Sequence, residues 1–372
     1  MQVMRRSRGR QLAFCAPALV IAIATLTIGP ARAASAPRAA TFGGMASLAA
    51  VSCRGAAWCM AVGGYTTTGG ASHSLAMTWN GTSWRKLKNP PGAGMNGVSC
   101  SSRSFCMASG GPTGAERWTG AQWRTMPAPK GGLPGLTCAS RTFCVRLHGN
   151  RPSVWNGTSW RDAKVPDFCK GGPPGPCGLA SVACGSTKNC AAVGTQTVSQ
   201  EPVQNAVADT WNGTKWSFNG GLPANGNPAQ LNTVSCAGTF CMSAGVASND
   251  SARASIAVGD KFDATSQTWT DVSPSLGGIC PEFQSCAWAG AVACASSTSC
   301  ITLGGMRTSQ FWNGSGWTSA KPVSAGKGSA LQDVSCGGTN CVAVGLRTVA
   351  GKRRTLAELW NGSAWAIVKT PM

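Results

Sequence analysis

Seven times along the chain, an apolar residue stands five positions before a cysteine and another stands two before it. The outer set is Leu48, Met95, Leu133, Leu179, Leu231, Ala289 and Leu331, and the inner set is Val51, Val98, Leu136, Val182, Val234, Val292 and Val334. A second cysteine follows and opens a run of small and apolar residues, as in Met60-Ala61-Val62-Gly63 or Ala191-Ala192-Val193-Gly194. Short runs of this kind, bounded by glycine, predict two strands, A and B. The closing glycine is expected to let the backbone turn without a Cβ penalty. Strand C then ends on a Trp and strand D starts on another, as in Trp79-Asn80-Gly81-Thr82-Ser83-Trp84 and Trp360-Asn361-Gly362-Ser363-Ala364-Trp365. Asn-Gly between two strands predicts a tight hairpin, since both residues accept positive φ. Asn80, Asn156, Asn212, Asn313 and Asn361 each precede such a glycine, and Thr119-Gly120 stands in for it once. The fifth unit replaces the motif with Phe262-Asp263-Ala264-Thr265-Ser266-Gln267-Thr268-Trp269.

Four strands repeated at roughly 40 to 50 residues indicate a radial array, an all-β, seven-bladed β-propeller with four antiparallel strands per blade. The expected blades cover about 46–92, 93–130, 131–166, 178–223, 229–274, 287–322 and 329–372, after an N-terminal segment 34–45. The chain starts with strand A and ends with strand D, so no overlapping strand is evident to latch the ring. Two Trp flanking each tight turn face the same side of the sheet. Aromatic pairs also form sugar-stacking platforms, but 13 of the 15 Trp occupy these repeat positions, a regularity that favours wedges between blades. Asn-Gly-Thr/Ser also matches the N-glycosylation acceptor pattern, and its recurrence at one turn favours a structural role.

The arrangement resembles the kelch family. The likeness lies in the apolar strand and turn before Cys59-Met60-Ala61-Val62-Gly63-Gly64, followed by a strand, a turn, a Trp and a Pro-containing link. Unit five, from Phe262-Asp263 to Thr268-Trp269-Thr270-Asp271-Val272, carries it most clearly. The resemblance implies the fold of the galactose-oxidase central domain and ligand contacts made by the B–C and D–A loops.

Residues 1–33 read as a signal peptide: Arg5, Arg6, Arg8 and Arg10 precede the apolar run Leu12 to Ile28, and Ala31-Arg32-Ala33 offers a cleavage site. The product is expected to be secreted, with no later membrane-spanning stretch, and monomeric. Removing Cys15 with the signal leaves 18 cysteines. Fourteen fall into seven local pairs. These are Cys53 with Cys59, Cys100 with Cys106, Cys138 with Cys144, Cys184 with Cys190, Cys236 with Cys241, Cys294 with Cys300, and Cys336 with Cys341. They predict one disulfide per blade. Two further pairs, Cys169 with Cys177 and Cys280 with Cys286, bracket insertions. Zinc is a poor alternative, since only His73 and His148 could join the thiols and the pairs are widely spaced for ligands. No metal or cofactor is expected.

The formal net charge is +20, and +15 without the signal segment. Such a surface attracts anionic polymers over a range that salt shortens. No nucleic-acid-reading motif accompanies it, which leaves an anionic glycan, a cell-wall polymer or a surface protein as the expected partner. The A–B and C–D turns should share one face and be nearly uniform. The B–C and D–A connections form the other and vary, and variable loops on a rigid scaffold are where binding concentrates. The residues singled out there are Tyr65, His73, His148, Lys352, Arg353 and Arg354. Catalysis has thin support: carboxylates are scattered, Tyr65 is the single tyrosine, and acid–base chemistry needs placed partners. The reading is therefore a secreted non-catalytic binding module. A structural surface protein without a ligand is one alternative, and a polysaccharide lyase or glycoside hydrolase using Glu116, Asp209 or Glu358 is another.

Overall fold

The structure, a computed structural model, describes residues 44–110, 115–126, 135–148, 151–164, 177–198, 203–222, 229–249, 254–273, 289–304, 308–320, 322 and 325–371. The signal segment, Cys169, Cys280, Cys286 and the side chain of Cys177 lie outside the described residues. With them fall the expected pairings of Cys169 with Cys177 and of Cys280 with Cys286.

Seven antiparallel sheets follow one another, and within each the strands run A-B-C-D in chain order. Strands A are Ala46–Cys53, Gly97–Ser102, Leu136–Ser140, Cys177–Ser186, Ala229–Ala237, Ala289–Ser296 and Ala330–Gly337. Strands B are Cys59–Thr66, Phe105–Ser109, Phe143–His148, Asn189–Val198, Phe240–Asn249, Ser299–Gly304 and Asn340–Val349. Strands C end on Trp79, Trp118, Trp155, Trp211, Asp263, Trp312 and Trp360, and strands D begin on Trp84, Trp123, Trp160, Trp216, Thr268, Trp317 and Trp365. In blade 5 strand C is split into Ala254–Val258 and Asp260–Asp263. The Ser243 hydroxyl bridges the break, accepting from the Asp260 amide at 3.2 Å and donating to its carbonyl at 3.1 Å. Each strand A lies against strand A of the blades before and after it, and that of blade 1 against that of blade 7, so the ring is closed.

A sheet of four strands leaves strand A with a free edge, whose amides need partners. The first cysteine of each pair sits opposite the second in the A–B ladder and turns its N–H to that edge. The residue just before the first cysteine answers it from the preceding blade. Ser52 Oγ accepts from the Cys100 amide at 3.0 Å, Ser99 Oγ from Cys138 at 2.8 Å, and Thr137 Oγ1 from Cys184 at 3.1 Å. Ser235 serves Cys294 at 2.9 Å, and Ser335 of blade 7 serves Cys53 of blade 1 at 2.9 Å. Ala183 and Ala293 occupy the position in blades 4 and 6; at the former joint Ser181 Oγ takes the Val234 amide at 3.3 Å instead. The closing joint is doubled, because Asp333 Oδ2 also accepts from the Val51 amide at 2.8 Å. Arg54 adds a further tie, donating to the carbonyls of Cys100 and Cys138 in the next two blades.

All seven local disulfides form as the spacing predicts. Cys53 is bonded to Cys59, Cys100 to Cys106, Cys138 to Cys144 and Cys184 to Cys190. Cys236 is bonded to Cys241, Cys294 to Cys300 and Cys336 to Cys341. Each bridge holds its Cα atoms 3.9–4.0 Å apart. The second cysteines, Cys59, Cys106, Cys144, Cys190, Cys241, Cys300 and Cys341, are all buried, since each lies in strand B between its two neighbouring strands. The strand-B glycine does not turn the chain, contrary to the sequence reading. Gly63, Gly194, Gly245 and Gly345 lie inside longer strands, opposite bulges in strand A. A Cβ there would collide with the carbonyl oxygen of Ser47, Gly178, Gln230 or Ala330 respectively, so close approach is what requires glycine.

The Trp pairs sit opposite each other across the C–D hairpin, ring centroids 5.4–5.8 Å apart and tilted by 44–55°, an edge-to-face tendency that aromatic quadrupoles favour. They pack into the gaps between blades: Trp118 of blade 2 shares one core cluster with Met60 and Val62 of blade 1. Several strand-C indoles also reach their own A–B turn, Trp118 to the Arg103 carbonyl and Trp155 to that of Arg141, both at 3.2 Å. The hairpin differs from expectation in one respect. Only glycine takes positive φ, +98° at Gly81, while Asn80 Oδ1 accepts from the Thr82 and Ser83 amides at 3.0 and 2.8 Å. The loop has four residues, so asparagine serves as an internal acceptor rather than as a left-handed residue.

Among the described residues blades 7 and 1 exchange no strand, so their joint rests on packing and edge capping, and Asp333→Ala should cost about 1–3 kcal/mol by orphaning edge amides. Ser52→Ala, at a joint the chain itself bridges, should cost less. Thermal unfolding of both variants checks the order, and an equal or smaller loss for Asp333→Ala contradicts it.

Candidate functional site

The B–C hairpins differ in height. Strand B has 8 to 10 residues in blades 1, 4, 5 and 7 but only 5 or 6 in blades 2, 3 and 6. The taller hairpins rise from the face whose connections vary, and the neighbours 7 and 1 carry most of the residues singled out from sequence.

In blade 7 the chain reverses over Ala350-Gly351, both at positive φ (+49° and +74°), a two-residue turn that suits the strand twist. Lys352, Arg353 and Arg354 are consequently not a loop, as the sequence suggested, but the first residues of strand C (Lys352–Trp360). Alternation splits them. Lys352 and Arg354 share the face of Ala343 and Trp360, which pack on blade 6, whereas Arg353 shares that of Val342 and Val344, which pack on blade 1. Arg354 lies directly opposite Arg347, and Lys352 opposite the exposed Val349. Sequence reading missed Arg347, seven residues upstream of its cross-strand partner.

In blade 1 the structure brings Tyr65 and His73 together as cross-strand partners, their rings stacked at 5.1 Å and 27°. Lys86 Nζ lies 5.1 Å from the Tyr65 ring centroid, and partial burial lowers its pKa from the ordinary lysine value. Asn89 Nδ2 donates to the Tyr65 hydroxyl at 3.2 Å. Tyr65 packs on the cluster that holds Val344 and Ala357 of blade 7, so this group and Arg353 look into the same inter-blade gap. No motif marked Lys86 or Asn89 beforehand. His148 ends strand B of blade 3 opposite Arg151; its side chain lies outside the described residues, and its blade is not a neighbour of 7 or 1.

The carboxylates considered for catalysis are elsewhere. Glu116, Asp209 and Glu358 are each 0% exposed and stand two residues before the strand-C Trp, facing the adjacent blade. Thr125 Oγ1 donates to Glu116 Oε1 at 3.0 Å. Both carboxylate oxygens of Asp209 are buried without a hydrogen-bond partner, and desolvation pushes its pKa up to about 7. Asp260 holds the same position in blade 5 and is also raised to about 7 by burial, with Asp271 adding repulsion. In blade 3 that position is Ser153, and its strand-B partner is a cation. Buried Arg146 lies 4.9 Å over the Trp160 ring, its pKa lowered by burial and supported by Asp162. Among the described residues no group of three or more His, Cys, Asp or Glu is placed to hold a metal, and no helix is long and apolar enough to cross a membrane.

No protein-family model matches the chain, and no curated protein matches it. Solved structures do. YCF48 bound to D1 peptide superposes with a TM-score of 0.52 at 12% identity, over 82% of this chain and 92% of that one. The WD40 repeats of RRP9 give 0.52 at 12% identity, over 80% and 86%. The GH74 enzyme of Niastella koreensis gives 0.54 at 12% identity, over 88% of this chain but 54% of the enzyme. At such identity the likeness shows the propeller fold alone, and these neighbours do not carry the kelch resemblance.

The buried acids make stability depend on pH. A group raised from 3.8 to about 7 keeps in the fold a proton that the unfolded chain releases, so stability is greatest below about pH 4 for this contribution. It falls as pH rises towards 7 and then levels off. Asp209→Asn should flatten that decline in denaturant titrations from pH 4 to 8, and an unchanged slope contradicts the assignment.

Proposed function

We propose that the chain is a secreted, non-catalytic binding module. Its B–C and D–A face takes an anionic extracellular glycan or cell-wall polymer at the hairpins of blades 7 and 1. One observation carries this reading: Arg347, Lys352 and Arg354 gather on one side of a single hairpin, on a chain whose net charge is +15 without the signal segment. On the other side of that hairpin, toward blade 1, Arg353 and the Tyr65, His73 and Lys86 group add cations and stacked rings. Seven disulfides fit an oxidising, extracellular compartment, which supports the signal-peptide reading of residues 1–33. The burial of Glu116, Asp209 and Glu358 supports binding over hydrolysis.

The test is an array of carboxylated, sulfated and neutral polysaccharides probed at several salt concentrations. Binding should favour the anionic members and weaken with salt. The combined variant Lys352→Ala, Arg353→Ala, Arg354→Ala should lose roughly tenfold or more in affinity. Flat responses at low salt, or equal binding by the variant, would refute this function.

A further inference from the structure

The face opposite the tall hairpins is level. In blades 1, 3, 4, 6 and 7 the C–D turn has four residues, and its asparagine Oδ1 accepts two backbone amides each time. The A–B turns keep their cysteines five or six positions apart throughout. Turns of matched length end at one height, unlike the B–C hairpins. Blade 5 is the exception. The additional cross-strand pair of Asp263 with Thr268 lengthens its hairpin, which borders a half-open cavity of about 220 Å³ against blade 6.

The charge on this face is one-sided. The residue after the strand-D Trp is Arg85 in blade 1, Arg124 in blade 2 and Arg161 in blade 3, and all three are exposed. Blades 4 to 7 have Ser217, Thr270, Thr318 and Ala366 at that position. Three residues after the first cysteine stand Arg103 and Arg141, exposed at the A–B turns of blades 2 and 3, where blades 4 and 6 have Thr187 and Ser297. Exposed Lys188 and Lys215 carry the arc into the two turns of blade 4. In blades 5 to 7 the charge at these turns is that of Asp263, an exposed acid. The sequence as a whole has the same bias: residues 46–166 hold 13 Lys and Arg against two acids, and residues 178–372 hold 12 against nine. Both acids of the first sector are engaged, since Glu116 is buried and Asp162 Oδ1 accepts from the Ser153 hydroxyl at 2.7 Å. Solubility alone would be served by cations spread around the ring. A confined arc of guanidinium groups, weakly hydrated and forked, instead matches an array of phosphate oxygens.

We infer that blades 1 to 4 dock the protein on an anionic phospholipid bilayer, with Arg85, Arg124 and Arg161 at the contact rim and the acidic side of blade 5 turned away. A level face suits a planar array of headgroups, whereas a single polymer chain is better held by a groove. This surface lies opposite the polymer face proposed for blades 7 and 1, so the two act independently. Co-sedimentation of the chain lacking residues 1–33 with lipid vesicles tests it. Equimolar phosphatidylglycerol and phosphatidylcholine vesicles should retain the protein at low salt and release it as salt rises. Vesicles of phosphatidylcholine alone should not retain it. The combined variant Arg85→Gln, Arg124→Gln, Arg161→Gln should lose roughly a hundredfold in partition while its melting temperature stays unchanged. The blade-7 triple alanine variant removes the same charge from the other face and should bind vesicles as the parent does. Equal losses in the two triple variants, which would mean that overall charge alone attracts the bilayer, would overturn the inference. So would indifference to phosphatidylglycerol, or binding to double-stranded DNA that needs the three arginines while vesicles stay bare.

Discussion

A hydroxyl on one strand A, accepting the cysteine amide of the next, is the contact on which the ring is built. Seven free edges converge around one axis, and each carries amides that water or protein must satisfy. At five of the seven joints Ser or Thr immediately before the first cysteine solves this locally, because strand alternation aims that side chain at the following blade while the cysteine turns inward to its disulfide. The cysteine thus has two duties. Its sulfur clamps the A–B hairpin and its amide docks the blade to its neighbour.

Among the described residues, ring closure follows from the same contact without an overlapping strand. Blade 7 meets blade 1 through Ser335 and through Asp333, whose carboxylate takes both the Val51 amide and its own neighbour's, Val334, at 2.8 Å. Asp333 keeps some solvent contact, yet surrounding protein raises its pKa to about 7 against those two donors. The apolar side of the joint is equally specific: Val342, Val344 and Ala357 of blade 7 share one core cluster with Leu48, Leu75 and Met77 of blade 1. Chain ends that would be loose in an open array are thereby held by packing and edge capping together.

Regularity carries the packing between blades, and the exceptions to it are local. Six blades repeat the Trp-to-Trp hairpin with little change in ring geometry, because the gap between blades has one width and one aromatic pair fills it. The departures from that repeat are few. Tall hairpins in blades 1 and 7 carry cations and stacked rings on one face, and the lengthened hairpin of blade 5 opens a cavity on the other. Buried acids such as Asp209 and Asp260 belong to the scaffold instead, as their apolar surroundings favour the protonated form.

The amino-acid sequence alone determined the blade count, the strand order, the seven disulfides and the paired Trp, since all are local and recur with one period. It also located Tyr65, His73 and the basic run at 352–354. What only tertiary structure decided is which of these meet. Lys352, Arg353 and Arg354 look like one patch in sequence, but strand alternation sends them to two sides and substitutes Arg347 as a partner. Strand-B glycines look like turn residues until the bulge opposite them is seen. Glu116, Asp209 and Glu358 look available until the next blade covers them. Each of these outcomes depends on the neighbouring strand or blade, and local sequence carries no information about side chains that approach from a distant part of the chain.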